Sequence, residues 1–196
     1  MIREQNASKN AIFLEIQKTI NESQIKAHQN SERFVKLREN PPKSLRLIGI
    51  KKLPMLSNRN HVRENILNQL TAISLGYSVK NKHYHGIGIE MYMKIINSID
   101  KPVAIYQYTK KGNYDLNNFI ILTSVEKDGK RAIVPIEINN KCQYNNKEIE
   151  YIKIKSVYFK DDPHYIDKML KQGKIKEVFA GSNSQKTLPM KKIYHK

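Results

Sequence analysis

A strand-like alternation of residues runs through Ile149-Glu-Tyr-Ile-Lys-Ile-Lys-Ser-Val-Tyr-Phe-Lys160. With a period of two, Ser156, Tyr158 and Lys160 share one face with the apolar Ile154. The pattern predicts that a hydroxyl, a phenol and an ammonium leave the sheet together where its apolar part ends. In a chain of formal net charge +17, such a cluster is typical of a phosphate-binding site.

Further strands are indicated on both sides of this segment by apolar runs that turn signals separate. Short links favour antiparallel neighbours, and Asp128-Gly129 is typical of a two-residue hairpin turn. We therefore expect a four- to five-stranded antiparallel meander. Its predicted strands are 102–108, 118–125, 132–138, 149–159 and 175–180.

Helices are indicated where apolar residues recur at helical spacing. They are predicted over 9–38, 60–73, 89–99 and 163–172, and residues 43–58 are expected to be irregular or to contain a short strand at 45–48. The sequence thus predicts an α+β fold, in which N-terminal helices precede an antiparallel sheet covered by a helix. The predicted organisation is a helical arm or linker over 1–42, a folded domain over 43–186 and a basic tail over 187–196.

The positive charge belongs to the whole chain. Lys and Arg number 35 against 18 Asp and Glu, and the excess is +8 in 1–80 and +9 in 81–196. A field of this sign concentrates polyanions, above all nucleic acid or an acidic protein. A basic surface kept for solubility is the alternative.

Several classes of protein are disfavoured by composition. A single cysteine, Cys142, allows neither a disulfide framework nor a cysteine-based metal site. The nearest approach to a zinc pattern, His83-x-His85, lacks a nearby pair of carboxylates. No segment approaches the ~18 apolar residues of a membrane span, and the N-terminus does not resemble a secretory signal. We expect no metal, no cofactor and no membrane association.

Cleavage of RNA needs neither a metal nor a covalent intermediate. The 2′-OH attacks the adjacent phosphate, a base and an acid move the protons, and cations or hydroxyls stabilise the phosphate. Histidine suits the proton transfers, and we predict His85 as the general acid/base. It lies in Lys82-His-Tyr-His-Gly86, before the 89–99 helix. The alternative is an exposed loop histidine or one that caps a helix.

Ser156, Tyr158 and Lys160 are predicted to stabilise the phosphate, although a serine at a strand end is often structural and Tyr158 could simply pack. We further expect His85 to lie within about 10 Å of Ser156 or Tyr158, since apo catalytic contacts are often long. The predicted substrate-binding lysines are Lys80, Lys82, Lys153 and Lys155.

A set of short motifs occurs in one order along 45–186. These motifs are His85-Gly-Ile, Pro102-Val-Ala-Ile-Tyr, Ile120-Ile-Leu-Thr, Ile133-Val-Pro-Ile and Ile154-Lys-Ser-Val-Tyr-Phe-Lys160. This order resembles the C-terminal domain of phage MuF-type proteins. Such domains are attached to minor capsid proteins and to secreted polymorphic toxins, and are grouped with barnase, EndoU, colicin E5/D and RelE-like ribonucleases.

The resemblance implies a RelE/barnase-like fold and a metal-independent endoribonuclease toxin that acts on RNA, with tRNA as one candidate. It implies that His85, Ser156, Tyr158 and Lys160 match recurrent polar positions of the family. The expected place of action is the cytoplasm of a target bacterium, reached by secretion or phage delivery. The expected partners are RNA, an acidic immunity or antitoxin protein, and a capsid or delivery module.

Two other functions remain open. A non-catalytic module that binds nucleic acid, or a structural module of the phage head, would use the same basic surface. An antitoxin or regulator is disfavoured, because the sequence shows no helix-turn-helix pair with a basic recognition helix.

Overall fold

In the part of the chain that the structure describes, eight strands form one mixed β-sheet. A computed structural model describes residues 12–17, 34–80, 83–110, 113–162 and 164–181. The strands are β1 (Phe34–Arg38), β2 (Met55–Asn58), β3 (Ala104–Lys110), β4 (Asn113–Lys127), β5 (Lys130–Tyr144), β6 (Lys147–Ile154), β7 (Tyr158–Phe159) and β8 (Ile175–Ala180). The helices are α1 (residues 12–17), α2 (Lys43–Leu47), α3 (Arg59–Ile66), α4 (Gln69–Ser74), α5 (Ile89–Ser98) and α6 (Tyr165–Lys171).

The strand order is β1-β2-β6-β5-β4-β3-β8, and β7 pairs with β5. β2 runs parallel to β6, with Met55 opposite Ile152 and Leu56 opposite Lys153, whereas the other pairs in the described sheet are antiparallel. The predicted four- to five-stranded antiparallel meander is therefore wrong. Turn signals identify neighbours that are close in sequence, but they give no information about a parallel partner almost a hundred residues away.

Local structure in the N-terminal part also departs from the prediction. Phe34–Arg38 forms β1 instead of the end of a helix, and its buried Val35 and Leu37 alternate with half-buried residues. Lys43–Leu47 is the helix α2, which follows Pro42, where a strand or irregular segment was expected. In short segments such as these, an apolar pattern fits either period.

The helix predicted over 60–73 is divided into α3 and α4. Leu67 takes an extended conformation (ψ 134°), and the side chain of Asn68 then accepts a hydrogen bond from the backbone N–H of Thr71. Asn68 thus acts as the N-cap of α4. By contrast, β8 coincides with the predicted strand 175–180, and α5 covers nearly all of 89–99.

The strand predicted over 149–159 is interrupted between β6 and β7. Ile154 lies opposite Ile136 of β5, and Tyr158 lies opposite Ile133. Four steps along this strand therefore match only three steps along β5, which is the pattern of a bulge. One extra residue transfers all later side chains to the other face of the sheet.

The two faces of the sheet carry separate apolar cores. The larger core lies against α3 and α5, and Ile136 and Ile154 belong to it. The smaller core contains Ile133 and packs against Tyr158 and residues of α6. The predicted common face for Ile154 and Tyr158 is thus wrong, and the bulge is the reason. Among the described residues, no helix combines the length and apolar character needed to cross a membrane.

Candidate functional site

The loop before α5 is bound to the last turn of α3. The backbone N–H groups of His85 and Gly86 donate to the carbonyl of Glu64, at 2.9 and 3.2 Å, and that of Ile87 donates to the carbonyl of Asn65 at 2.6 Å. Carbonyls at the end of a helix need partners from outside it, so the loop completes α3. These bonds fix where the His85 side chain begins.

Gly86 allows the loop to pass close to Tyr84. Its φ is +55°, and a Cβ at this position would lie 2.6 Å from the Tyr84 hydroxyl. That hydroxyl donates to the carbonyl of Leu67 at 3.0 Å. A side chain at position 86 would therefore both strain the backbone and displace Tyr84.

The His85 ring stacks on the Tyr158 ring. The ring centroids are 4.7 Å apart and the planes differ by 19°. The ammonium of Lys160 lies 5.5 Å from the centroid of Tyr158 and 4.5 Å from that of Tyr165, within the range of cation–π attraction. The predicted proximity of His85 and Tyr158 is confirmed, and Lys160 joins them.

The electrostatic environment keeps His85 neutral at pH 7. Burial, His83 and Lys160 lower the pKa of His85 to about 4, and Asp161 only partly opposes them. A neutral imidazole can accept a proton, so His85 is available as a base. Burial also raises the pKa of Tyr158 to about 12, and this phenol therefore remains a hydrogen-bond donor at neutral pH.

Ser156 lies inside the bulge and faces α3. It is buried, and its hydroxyl donates to Oδ1 of Asn65 at 3.4 Å, while the backbone N–H of Val157 donates to the same atom at 2.8 Å. The Asn65 amide in turn donates to the carbonyl of His61. Ser156 is thus separated by the bulge from the face that carries Tyr158.

Of the predicted substrate-binding lysines, the structure describes Lys80, Lys153 and Lys155, and their surroundings differ. Lys153 lies near His61 and lowers its pKa. Lys155 is directed elsewhere, with its ammonium 3.2 Å from Oδ1 of Asn118 and 3.8 Å from the carboxylate of Glu137. Lys80 is exposed in a turn after α4. Lys82 lies outside the described residues.

Three residues of this region were not predicted from the sequence to belong to the site. They are His61, Asn65 and His83. The His61 and His83 rings stack with centroids 5.6 Å apart and planes 19° apart. Burial, His83 and Lys153 lower the pKa of His61, and a hydrogen bond to the backbone of Lys155 partly opposes them. The available signal was the spacing of His61 and Asn65, because residues four apart share a helix face.

Within the part of the chain that the structure describes, no group of three or more His, Cys, Asp or Glu residues could hold a metal ion. The arrangement of a neutral imidazole, a protonated phenol and an ammonium is suited to proton transfer beside an anion.

Fold and cluster together define a basic mixed-sheet domain with a histidine–tyrosine–lysine site. Residues 78–187, more than half of the chain, match the family described as the phage MuF C-terminal domain. The chain belongs to this family, as the motif order predicted. A search of curated proteins found no match to the chain, and a search of solved structures found none either. His61 and Asn65 precede residues 78–187, which match the family. Both belong to α3, and α3 lies next to the site.

Proposed function

We propose that this chain is a metal-independent endoribonuclease, in which the 2′-OH of RNA attacks the adjacent phosphate. The observation that supports it is the stack of His85 on Tyr158 with the Lys160 ammonium above the same tyrosine ring. His85 lies far from Tyr158 and Lys160 in the chain, and each of the three groups has a chemical role that RNA cleavage requires.

In this proposal, neutral His85 accepts the proton of the 2′-OH. The phenol of Tyr158 and the ammonium of Lys160 donate to the phosphate oxygens, on which charge develops in the transition state. The net charge of +17 draws the RNA strand to the domain. Ser156 supports the bulge through Asn65 instead of contacting the phosphate.

The biological setting is part of the same proposal. Membership of a phage-associated family supports a toxin that reaches the cytoplasm of a target bacterium by phage delivery or secretion, where tRNA is one candidate substrate. A producing cell would then need an acidic immunity protein, because charge complementarity gives fast capture. The inhibitor should cover the face that carries Lys160. A co-purified inhibitor that is basic, or that leaves Lys160 uncovered, would contradict this part of the proposal.

Incubation of the purified chain with total bacterial RNA in EDTA tests the activity. We expect cleavage that leaves 2′,3′-cyclic phosphate ends, and a loss of about 100-fold or more in His85→Ala, the usual contribution of general acid–base catalysis. His164→Ala is the matched control, because His164 is exposed and pairs with Asp167 outside the cluster.

Several outcomes would contradict the enzyme. They include full activity in His85→Ala, or cleavage that EDTA abolishes and added metal restores. Salt-sensitive RNA binding without any cleavage would instead favour the non-catalytic nucleic-acid module.

A further inference from the structure

A second histidine lies beside the proposed base. His83 and His85 are two residues apart in the same loop, and the His83 ring stacks on His61 at 5.6 Å. His83 lies close enough to lower the pKa of both His61 and His85. His83 is therefore a neighbour of both other histidines, stacked on His61 and two residues from His85 in the same loop.

The three histidines differ in their contact with water. His61 and His85 are half-buried, whereas His83 is exposed. Burial penalises the charged form of an imidazole and lowers the pKa of His61 and of His85, whereas the His83 side chain remains in contact with water.

The other groups around His85 are poor proton donors for a leaving oxygen. Burial raises the pKa of Tyr158 to about 12. Lysine ammonium groups release a proton much less readily than imidazolium near neutral pH, and that of Lys160 faces two tyrosine rings. Asp161, the charged neighbour beyond Lys160, is an exposed carboxylate that pairs with Lys130.

We propose that His83 is the general acid of this site and protonates the leaving 5′-oxygen while His85 accepts the proton of the 2′-OH. The inference rests on the ribonuclease function proposed above. The bond from the 2′-oxygen to phosphorus forms, and the bond from phosphorus to the 5′-oxygen breaks. One proton passes to His85 and one leaves His83, and exchange with water then restores both histidines.

The stack on His61 gives His83 a fixed ring direction. His61 is held by α3 and by its bond to the backbone of Lys155, so it is a positioning residue for the acid. His61→Phe retains a flat ring at this place and should keep most of the activity, whereas His61→Ala should lower it.

Replacement of one atom in the substrate provides the test. An RNA oligonucleotide containing a mapped cleavage site is compared with the same oligonucleotide carrying sulfur at the 5′-bridging position. A thiolate leaves without being protonated, so this substrate needs a base but no acid.

With His83→Gln, we expect cleavage of the oxygen substrate to fall by about 100-fold or more. Cleavage of the sulfur substrate should stay within a few-fold of wild type. His85→Ala should be slow on both substrates. His83 is exposed, so the variant should retain the thermal unfolding midpoint of wild type, which is measured in parallel.

Equal losses on both substrates, or no loss on either, would overturn the assignment of His83 while leaving that of His85 intact. Failure of the wild-type chain to cleave any RNA would overturn both proposals. A His83→Gln variant that binds RNA less tightly but cleaves both substrates at wild-type rates when saturated would make His83 a binding residue only.

Discussion

Replacement of Asn65 by alanine should destabilise the domain by about 2 kcal/mol. The largest loss is the acceptor of the Val157 N–H, which lies 2.8 Å from Oδ1 of Asn65 in the buried bulge. A buried donor left without a partner costs about 1–3 kcal/mol. The Ser156 hydroxyl, at 3.4 Å, can rotate to another acceptor and should contribute little.

Urea denaturation followed by circular dichroism measures this effect. For an unfolding slope of about 2 kcal/mol/M, the midpoint should fall by about 1 M. Asn68→Ala is the matched control: Asn68 is exposed and makes one capping bond, to Thr71 at 2.9 Å. Loss of such a cap costs about 1 kcal/mol, which corresponds to a midpoint shift of about 0.5 M.

The comparison of the two asparagines tests the reasoning directly. If Asn65→Ala shifts the midpoint no more than Asn68→Ala does, the bulge does not depend on the Asn65 amide. A second readout is the His85–Tyr158 stack, since Asn65 joins the segment before Tyr158 to the loop that carries His85. Activity should therefore fall in Asn65→Ala at temperatures where the variant remains folded.

Three further predictions concern the titration, the charge and the cation of the site. Because the pKa of His85 is lowered to about 4 and a base must be unprotonated, the fall of kcat/KM on the acid side should be centred near pH 4; an acid-side fall centred at 6.5 would refute this assignment. In the unfolded chain this histidine has its ordinary pKa, so between about pH 6.5 and 4 the unfolded state binds more protons than the folded state. The free energy of unfolding should therefore decrease as pH falls through this window, and this decrease should be less steep in His85→Gln. RNA affinity should fall with salt by a logarithmic slope of about 0.7 per phosphate contacted, and a flat response in filter binding would contradict phosphate recognition. Lys160→Met should reduce turnover by about 100-fold, whereas Lys171→Met, at the exposed end of α6, should not, and equal rates would exclude Lys160 from catalysis.

The limits of the sequence are clearest at the bulge. Period-two alternation predicts that Tyr158 lies on the same face of the sheet as Ile154. This prediction would hold for a strand that pairs with β5 without interruption. The extra residue is held by hydrogen bonds from Ser156 and Val157 to Asn65. Asn65 lies 91 residues before Ser156 in the chain, so no local sequence pattern could predict these bonds. His85 was predictable near Tyr158 because its loop precedes the helix that covers the sheet.

Other elements show which signals suffice. β8 lies between two glycines, Gly173 and Gly181, and both its type and its limits could be predicted. β1 and β2 have only five and four residues, too few for the period to distinguish a strand from a helix. His61 was missed because it belongs to the site only through its stack with His83, a contact between separate elements.

The parallel pairing of β2 with β6 has a consequence for synthesis of the protein. Met55 of β2 cannot pair with β6 until Ile152 has been made. Tyr158, on which the His85 ring stacks, follows six residues later. A ribosome adds ~5–20 residues per second, so an interval of about 5–20 s separates α3 from the strands that complete the cluster. A nascent or prematurely ended chain therefore carries its histidines without their tyrosine partner, and the site can assemble only after Tyr158 has been made.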